Sequence, residues 1–399
     1  MKRFGKTILL CIVTVIIIGT FYLQSSIAAT ENKLLEWKKV SGNEDAVKNI
    51  EILAGGYTKE TREYHNLQIT NKNTINRNNT PSLLEQLSES WIHPIILEWR
   101  EQYNNFMRSK NSINLNHYYE DDNVLVYVGD IWDYQSRSNI SFNIDILIKK
   151  SEEVTSIQLK LPNKESYDFL DVREVQLING IAKVFASGQR KDGGEDLTVY
   201  TFDIDEQEFM NSELLLSTPI IPSTITNFYA TITIMNDLKS VEPQKYLLMK
   251  ADATIYSENG ETVQYDDGSG SNPNELVIYN IETNQSKSLT IPDEMLISSN
   301  SSTIVGSTLF FPSQQEDEFG VIMYDIEKEE WGDKITFDFL NEQTGYDIKY
   351  QLINGKINIL HSTTNGYALY VSDLSSGELL YEGELTSEKY DQLGIQSLS

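Results

Sequence analysis

Four histidines are the side chains in this sequence best suited to metal binding or to acid–base chemistry near neutral pH. They are His65, His93, His117 and His361, and no two of them have the spacing of zinc ligands. The single cysteine, Cys11, lies inside an apolar N-terminal run and has no second cysteine to pair with. We therefore expect no metal, no cofactor and no histidine-based catalytic site.

One acidic loop, YDDGSGSNPNE at 265–275, has the composition of a calcium-binding loop. It contains Asp266, Asp267 and Glu275, but its first glycine comes too early for the ligand order of an EF-hand. A second polar loop, QRKDGGEDL at 189–197, occupies the same place in its own predicted repeat. Both are interpreted as hairpin connections, and calcium binding by the first loop stays an open alternative.

No sequence motif identifies a catalytic residue. The chain has no Gly-x-Ser-x-Gly nucleophile motif and no glycine-rich phosphate loop that leads into a helix. Two of its 59 acidic residues could form the carboxylate pair of a glycoside hydrolase, but no spacing singles them out. We name no catalytic, cofactor-binding or metal-binding residue, and a glycan-active enzyme stays an alternative.

The formal net charge of −27 disfavours nucleic acid and anionic lipid headgroups as partners, because their phosphates would be repelled. The acidic residues are spread along the chain rather than clustered, which is typical of a solvated surface. With 399 residues the chain is long enough to bury a large core without disulfides.

Residues 1–30 predict a membrane segment. The basic sequence MKRFGK precedes an uncharged run of seventeen residues, TILLCIVTVIIIGTFYL at 7–23. As a helix this run would be about 26 Å long, close to the roughly 30 Å of a bilayer core. Since basic flanks stay in the cytoplasm, the C-terminal part is expected outside, in a bacterial envelope. The alternative is a signal peptide that is cleaved near Ala28 and releases the chain.

Residues 31–111 form a polar segment. Two short strands are predicted in it, at Ile50–Leu53 and Leu67–Thr70. Between residues 82 and 108, apolar residues recur at intervals of three and four, which predicts an amphipathic helix. Pro94 must kink that helix or split it in two, because proline has no backbone N–H to donate.

From residue 112 onward the chain repeats a phrase. Its copies read LTVYTFDIDEQEF, LVIYNIETNQSKSL, VIMYDIEKEEWGDKI and YALYVSDLSSGELL, and a degenerate copy, ISFNIDILIKK, precedes them. Each clear copy is an apolar strand that ends before a polar turn, and Asn280, Asp325 and Asp373 mark three ends at spacings of 45 and 48 residues. We predict that Asp325 and Asn280 accept backbone N–H groups from the turn that follows.

Four short strands per repeat, at a period near 45 to 50 residues, resemble the blades of a β-propeller. The resemblance covers residues 112–399 as about five four-stranded repeats, without the signatures of WD40 or kelch blades. It implies a mainly β fold in which neighbouring blades bury both faces of each sheet. A β-sandwich or a pair of small β domains is the alternative fold.

The resemblance implies no particular activity, since function is carried by the loops and surfaces of such a scaffold. Together with the N-terminal segment, it predicts a membrane-anchored extracytoplasmic binding or accessory protein. The membrane is contacted through residues 7–23, and a protein or a cell-wall polymer is the expected further partner. A glycan-active enzyme and a structural envelope protein are the alternatives.

Overall fold

The computed structural model describes residues 35–398 except for 49, 79–91, 109, 111–112, 131–140, 163, 221–224, 226, 237–240, 242, 257–261, 265–274, 293–301, 316–317, 338–347, 354, 364–365 and 387–388. Most of this part of the chain is β-strand. Its helical elements are two α-helices, α1 (Pro94–Gln102) and α2 (Asn104–Met107), and three 3-10 turns at Glu44–Val47, Leu115–His117 and Lys164–Ser166.

The strands form six antiparallel sheets, and sheets 2 to 5 are each built from consecutive strands. Sheet 2 contains β5 (Tyr118–Glu120), β6 (Val124–Asp130), β7 (Ser141–Ile148) and β8 (Glu153–Lys160). Sheet 3 contains β9 (Tyr167–Ile178), β10 (Ile181–Arg190), β11 (Glu195–Asp203) and β12 (Glu208–Ser217). Sheet 4 contains β13 (Phe228–Ile234), β14 (Tyr246–Tyr256), β15 (Thr262–Gln264), β16 (Glu275–Asn280) and β17 (Gln285–Thr290). Sheet 5 contains β18 (Thr303–Val305), β19 (Thr308–Gln315), β20 (Glu318–Asp325) and β21 (Glu330–Thr336).

Sheets 1 and 6 exchange strands from opposite ends of the described chain. Sheet 6 contains β22 (Ile348–Ile353), β23 (Lys356–Thr363), β24 (Gly366–Asp373) and β25 (Leu379–Thr386), with β1 (Glu36–Gly42) added beside β25. Sheet 1 contains β2 (Ile52–Thr58), β3 (Tyr64–Ile69) and β4 (Thr74–Asn76), with β26 (Tyr390–Leu398) added beside β2. The pairs Glu36–Thr386 and Ile52–Leu398 therefore join residues 350 and 346 positions apart.

The chain divides into two compact units near residues 81 and 345. Sheets 1 and 6 make up the first unit, and the two α-helices with sheets 2 to 5 make up the second. The segment 31–111 is shared between them, because its strands belong to the first unit and its helices to the second.

The propeller-like repeat predicted from the sequence is confirmed. The five repeats expected after residue 112 are sheets 2 to 6, and a sixth sheet precedes them. The strands predicted at Ile50–Leu53 and Leu67–Thr70 are β2 and β3 of that sixth sheet, with boundaries a few residues away from the predicted ones. Within the second unit the sheets pack in series rather than as a two-layer sandwich.

The repeated phrase encodes a specific turn. The Oδ1 atom of Asp325 accepts the backbone N–H groups two and three positions later, both at 3.0 Å. The Oδ1 atom of Asn280 accepts the backbone N–H groups of Glu282 and Thr283 in the same way, both at 3.0 Å. The turns predicted at Asp325 and at Asn280 are therefore both confirmed. Asp203 and Asp373 repeat the arrangement at 3.0 Å and 2.9 Å. The recurring Asp or Asn of the phrase is thus a structural residue of the hairpin.

A residue with left-handed backbone closes each of these turns. It follows the Asp or Asn by four positions, at Gln207, Asn284, Glu329 and Gly377, with φ between 55° and 72°. The β7–β8 and β2–β3 hairpins contain the same feature, at Glu152 and Arg62 (φ 57° and 58°). Because five of these six residues are not glycine, the turn leaves little trace in the sequence.

Replacing Asn280 with Ala is expected to lower the free energy of unfolding by about 1 kcal/mol, the usual cost of losing a side-chain cap on two backbone N–H groups. The matched variant Asn280→Asp should stay close to wild type, because aspartate has the same role at three other hairpins. Urea unfolding midpoints measure the stability of both variants. An equal loss in the two variants would show that the amide group, rather than the acceptor oxygen, is what the turn requires.

Three apolar clusters hold the sheets of the second unit together in series. Sheets 2 and 3 share a cluster that includes Phe142 and Val184. Sheets 3 and 4 share one that includes Phe185 and Tyr279, and sheets 4 and 5 share one that includes Phe311. Both faces of sheets 3 and 4 are therefore buried, as expected for blades.

A helical layer covers the second face of sheet 2. Ile96 and Trp99 of α1 and Phe106 of α2 pack against Tyr118 and Leu125 of the sheet. The helix α1 begins at Pro94, where proline needs no N–H partner, and the side chain of the preceding histidine caps it. The part of the predicted helix before residue 92 lies outside the described residues.

The predicted membrane segment at 7–23 also lies outside the described residues. In the part of the chain that the structure describes, no helix is long and apolar enough to cross a bilayer.

Candidate functional site: the open face of sheet 1

The four histidines have structural surroundings in four separate elements. His93 caps α1 by accepting the Ile95 N–H at 3.4 Å, and a ring nitrogen of His117 lies 2.8 Å from a backbone carbonyl oxygen. His65 lies 3.0 Å from the Tyr390 hydroxyl, and His361 is buried in β23. No group of three or more His, Cys, Asp or Glu among the described residues could hold a metal ion.

The polar loop at 189–197 is a hairpin connection, as interpreted from the sequence. Arg190 donates to carboxylate oxygens of Asp192 at 3.0 Å and Asp196 at 2.9 Å. The hydroxyls of Ser217 and Tyr167 also donate to Asp196, at 2.6 Å and 3.0 Å. These bonds tie the hairpin to the end of β12 and the start of β9. The other loop lies outside the described residues except for Glu275.

Sheet 1 packs one face into its core and leaves the other face exposed. Leu67 and Ile69 of β3 point into the core, and the alternate residues of the strand must therefore lie on the opposite face. We name this second surface the open face. Its residues are Leu53, Gly55, Tyr57, Tyr64, Asn66, Gln68, Ile75, Arg77, Gly394 and Gln396.

Two glycines keep the middle of the open face flat. Gly55 and Gly394 lie opposite each other on β2 and β26, and we name this pair the glycine floor. The side chain of Gln396 lies across this floor, and its amide nitrogen donates to the Tyr64 hydroxyl at 3.3 Å and to Asn66 Oδ1 at 3.4 Å. A Cβ atom at position 55 would collide with the Tyr64 hydroxyl and the Gln396 amide, so a larger residue there would push these two side chains away from their present positions.

Hydrogen bonds between side chains fix the amides of the open face. The amide nitrogen of Asn66 donates to Asn78 Oδ1 at 2.8 Å. Gln68 donates to a carboxylate oxygen of Glu51 at 2.8 Å and accepts from Arg77 Nε at 3.2 Å. Since each amide has two donor and several acceptor sites, these bonds orient the amides without using their full capacity.

Two tyrosines stand beside the amides and remain exposed. Tyr57 and Tyr64 are opposite neighbours on β2 and β3, with ring centroids 5.0 Å apart and planes inclined by 62°. Their exposed fractions are 53% and 41%. Aromatic side chains with this much free surface, next to oriented polar groups, are typical of binding surfaces rather than of cores.

The described side chains of this surface offer aromatic rings and oriented amides, groups that can take part in recognition. The carboxylate of Glu51 at its border is held by Gln68, and no pair of carboxylates occurs among the described residues of the open face. On the opposite face of the sheet, burial raises the pKa of Tyr390 to about 12, so this phenol stays protonated near neutral pH.

Sequence reasoning did not identify the open face. The alternation of YHNLQI gives the only local signal, because it places tyrosine, asparagine and glutamine on one side of a strand. The floor depends on β26, which is more than three hundred residues away in sequence. No local pattern could have joined Gly55 to Gly394 or placed Gln396 beside Tyr64.

No protein-family profile and no curated protein matches this sequence. Among solved structures, TolB from Acinetobacter baumannii is similar over 88% of this chain and 66% of its own, with 10% identity and a TM-score of 0.29. The β-propeller domain of the trilobed protease from Pyrococcus furiosus is similar over 86% of this chain and 100% of its own, with the same identity and TM-score. Neither likeness says anything about function, and the propeller-like class rests on the six sheets.

Proposed function

We propose that this chain is a membrane-anchored extracytoplasmic binding protein that uses the open face of sheet 1 to hold its ligand. The exposed tyrosine pair over a glycine floor is the observation that carries this proposal. The N-terminal run at 7–23 supports the anchor, because it is long enough to span most of a bilayer and follows a basic segment.

Two features favour binding over catalysis at this surface. The polar side chains are amides held in place by one another, and amides neither donate nor accept protons in catalysis near neutral pH. A glycan hydrolase would need two carboxyl groups flanking one bond. The open face offers no such pair among its described residues.

A cysteine-labelling experiment tests the topology. In a Cys11→Ser background, a new cysteine at Glu60→Cys lies on the exposed hairpin between β2 and β3. We expect a membrane-impermeant maleimide to label it in intact cells stripped of their wall, because the domain is outside. The protein should stay in the membrane fraction after a high-salt wash.

The control is the cysteine-free Cys11→Ser chain, which should not be labelled. Labelling that appears only after the membrane is permeabilised would contradict the topology. A mature protein that begins at Ala29 and leaves the membrane fraction would contradict the anchor and support secretion instead.

A further inference from the structure

We infer that the open face binds a strand of an uncharged polysaccharide; this inference rests on the proposed function and names the ligand class. The chemistry of the surface leads to this class. Sugar rings present C–H groups on their faces, which pack against the electron-rich faces of aromatic rings such as Tyr57 and Tyr64. They also present hydroxyl or acetamido groups around their edges, which pair with amides such as Asn66 and Gln396.

The shape of the open face fits an extended chain better than a compact ligand. Four strands at about 4.8 Å spacing make a surface about 14 Å wide. The glycine floor lies across its middle, between the amide of Asn66 and the exposed Gly394. The Tyr64 hydroxyl and the Gln396 amide cover Gly55, and a flexible polymer segment can lie along these groups and contact both the tyrosines and the amides. The described residues of the open face do not enclose a small molecule.

Charge selects against anionic polymers. Arg77 and Glu51, the charged groups that contact the amides, are linked through Gln68 and offset each other. The net charge of −27 on the whole chain repels polyphosphates, uronic acid polymers and nucleic acid at longer range. An uncharged glycan pays no such penalty, and it needs the hydrogen-bonding groups that the face supplies.

A protein partner is the competing occupant, and the composition of the face argues against it. Stable protein interfaces have an apolar centre surrounded by a polar rim. Here the centre holds glycines and amides with one half-buried leucine, Leu53, while the exposed aliphatic side chain of Ile75 lies on the edge strand β4. The apolar centre of the open face is therefore small, which favours a polar ligand over a protein partner.

Binding of defined oligosaccharides to the full-length chain in detergent tests the inference. The probes are chitohexaose and cellohexaose as uncharged glycans and an oligogalacturonate of similar length as the anionic control, measured by calorimetry. We expect binding to at least one uncharged probe and none to the oligogalacturonate. Tyr57→Ala should weaken that binding about tenfold, because one aromatic stacking contact is lost.

Three further variants make the result specific. Tyr57→Phe should bind like wild type, because it keeps the ring. Gln396→Ala should weaken binding through the amides, and Tyr229→Ala, which removes a comparably exposed tyrosine of the second unit, should change nothing. Thermal unfolding of each variant shows that the fold is retained.

Three outcomes would overturn the inference. They are no binding of either uncharged probe by the folded chain, equal binding of the oligogalacturonate, or an equal loss in Tyr57→Ala and Tyr229→Ala. None of these affects the labelling result, so failure of the ligand class and failure of the membrane topology can be told apart. A protein cross-linked specifically through the open face, with no glycan bound, would favour the competing occupant.

Discussion

Replacing Glu174 with Gln is expected to make the protein much more stable at alkaline pH and to change its stability little at acidic pH. Glu174 lies on β9, is only 2% exposed, and accepts a hydrogen bond from the Gln176 amide at 2.7 Å. Burial raises the pKa of its carboxyl from 4.5 to about 8. The native protein therefore holds this proton over a pH range in which the unfolded chain has already released it.

The sign of the pH dependence follows from proton linkage. Below pH 4.5 both states are protonated, and the native state carries no penalty from this group. As pH rises from 4.5 to about 8, the native protein loses stability, by up to about 5 kcal/mol in total at 1.36 kcal/mol per pKa unit. Gln has the same shape and cannot ionise, so the Glu174→Gln variant avoids this loss.

Urea unfolding at pH 4.5 and pH 9 measures the effect. The stability difference between Glu174→Gln and wild type should be small at pH 4.5 and several kcal/mol at pH 9. Glu208→Gln, on the exposed strand β12, is the matched control, and its stability difference from wild type should not increase between pH 4.5 and pH 9. Lys183 on β10 is opposite Gln176, and burial lowers its pKa, so a Lys183→Met background separates its titration from that of Glu174. A difference that is the same at both pH values would contradict the prediction.

Replacing Asp145 with Ala is expected to lower the free energy of unfolding by about 3 to 5 kcal/mol. Asp145 on β7 is 5% exposed and pairs with Lys110, which is 7% exposed and follows the helix α2. The ammonium also lies 4.7 Å from the Phe106 ring centroid and 5.1 Å from that of Tyr127. Without the carboxylate, a cation would remain buried between the helical layer and sheet 2.

The double variant Lys110→Met, Asp145→Leu should regain most of this loss, because apolar side chains of similar size remove both charges from the interior. Lys287→Met breaks the exposed Lys287–Glu329 pair and is the control, with an expected loss below about 1 kcal/mol. Urea unfolding midpoints measure the stability of Asp145→Ala, of the double variant and of Lys287→Met. A loss in Asp145→Ala as small as that in Lys287→Met would show that the helical layer is held by its apolar contacts alone.

Local pattern was sufficient to predict the repeats and their turns. The strand that ends at Asp325 and the turn that follows are encoded within a few residues, so periodicity and turn chemistry identified them. Sheet 1 was not predicted as a repeat, because its first strand in space, β26, comes last in sequence. The left-handed residues were also missed, since side chains such as Glu329 and Arg62 do not signal a positive φ.

The candidate site was less predictable than the fold for a related reason. The candidate site depends on which face of sheet 1 is left uncovered, and this is set by the elements that pack against the sheet rather than by the sequence of its strands. Tyr57 and Tyr64 read as ordinary strand residues in the sequence, and only the packing of Leu67 and Ile69 into the core shows that the tyrosines lie outside it. The four histidines lie in separate elements of the fold, and the expectation that none of them serves a metal or catalytic site stays a prediction.

The exchange of β1 and β26 between sheets 6 and 1 dictates an order of events during synthesis. The second unit is made of residues 82–344 almost without interruption, so its sheets can form as the chain emerges from a ribosome or an export channel. The first unit cannot form in this way, because β2 pairs with β26, which is synthesised some 340 residues later. Until then Gly55 and Tyr57 lie on an unpaired edge. A translocated chain would therefore present this edge to chaperones and proteases for the whole duration of its export.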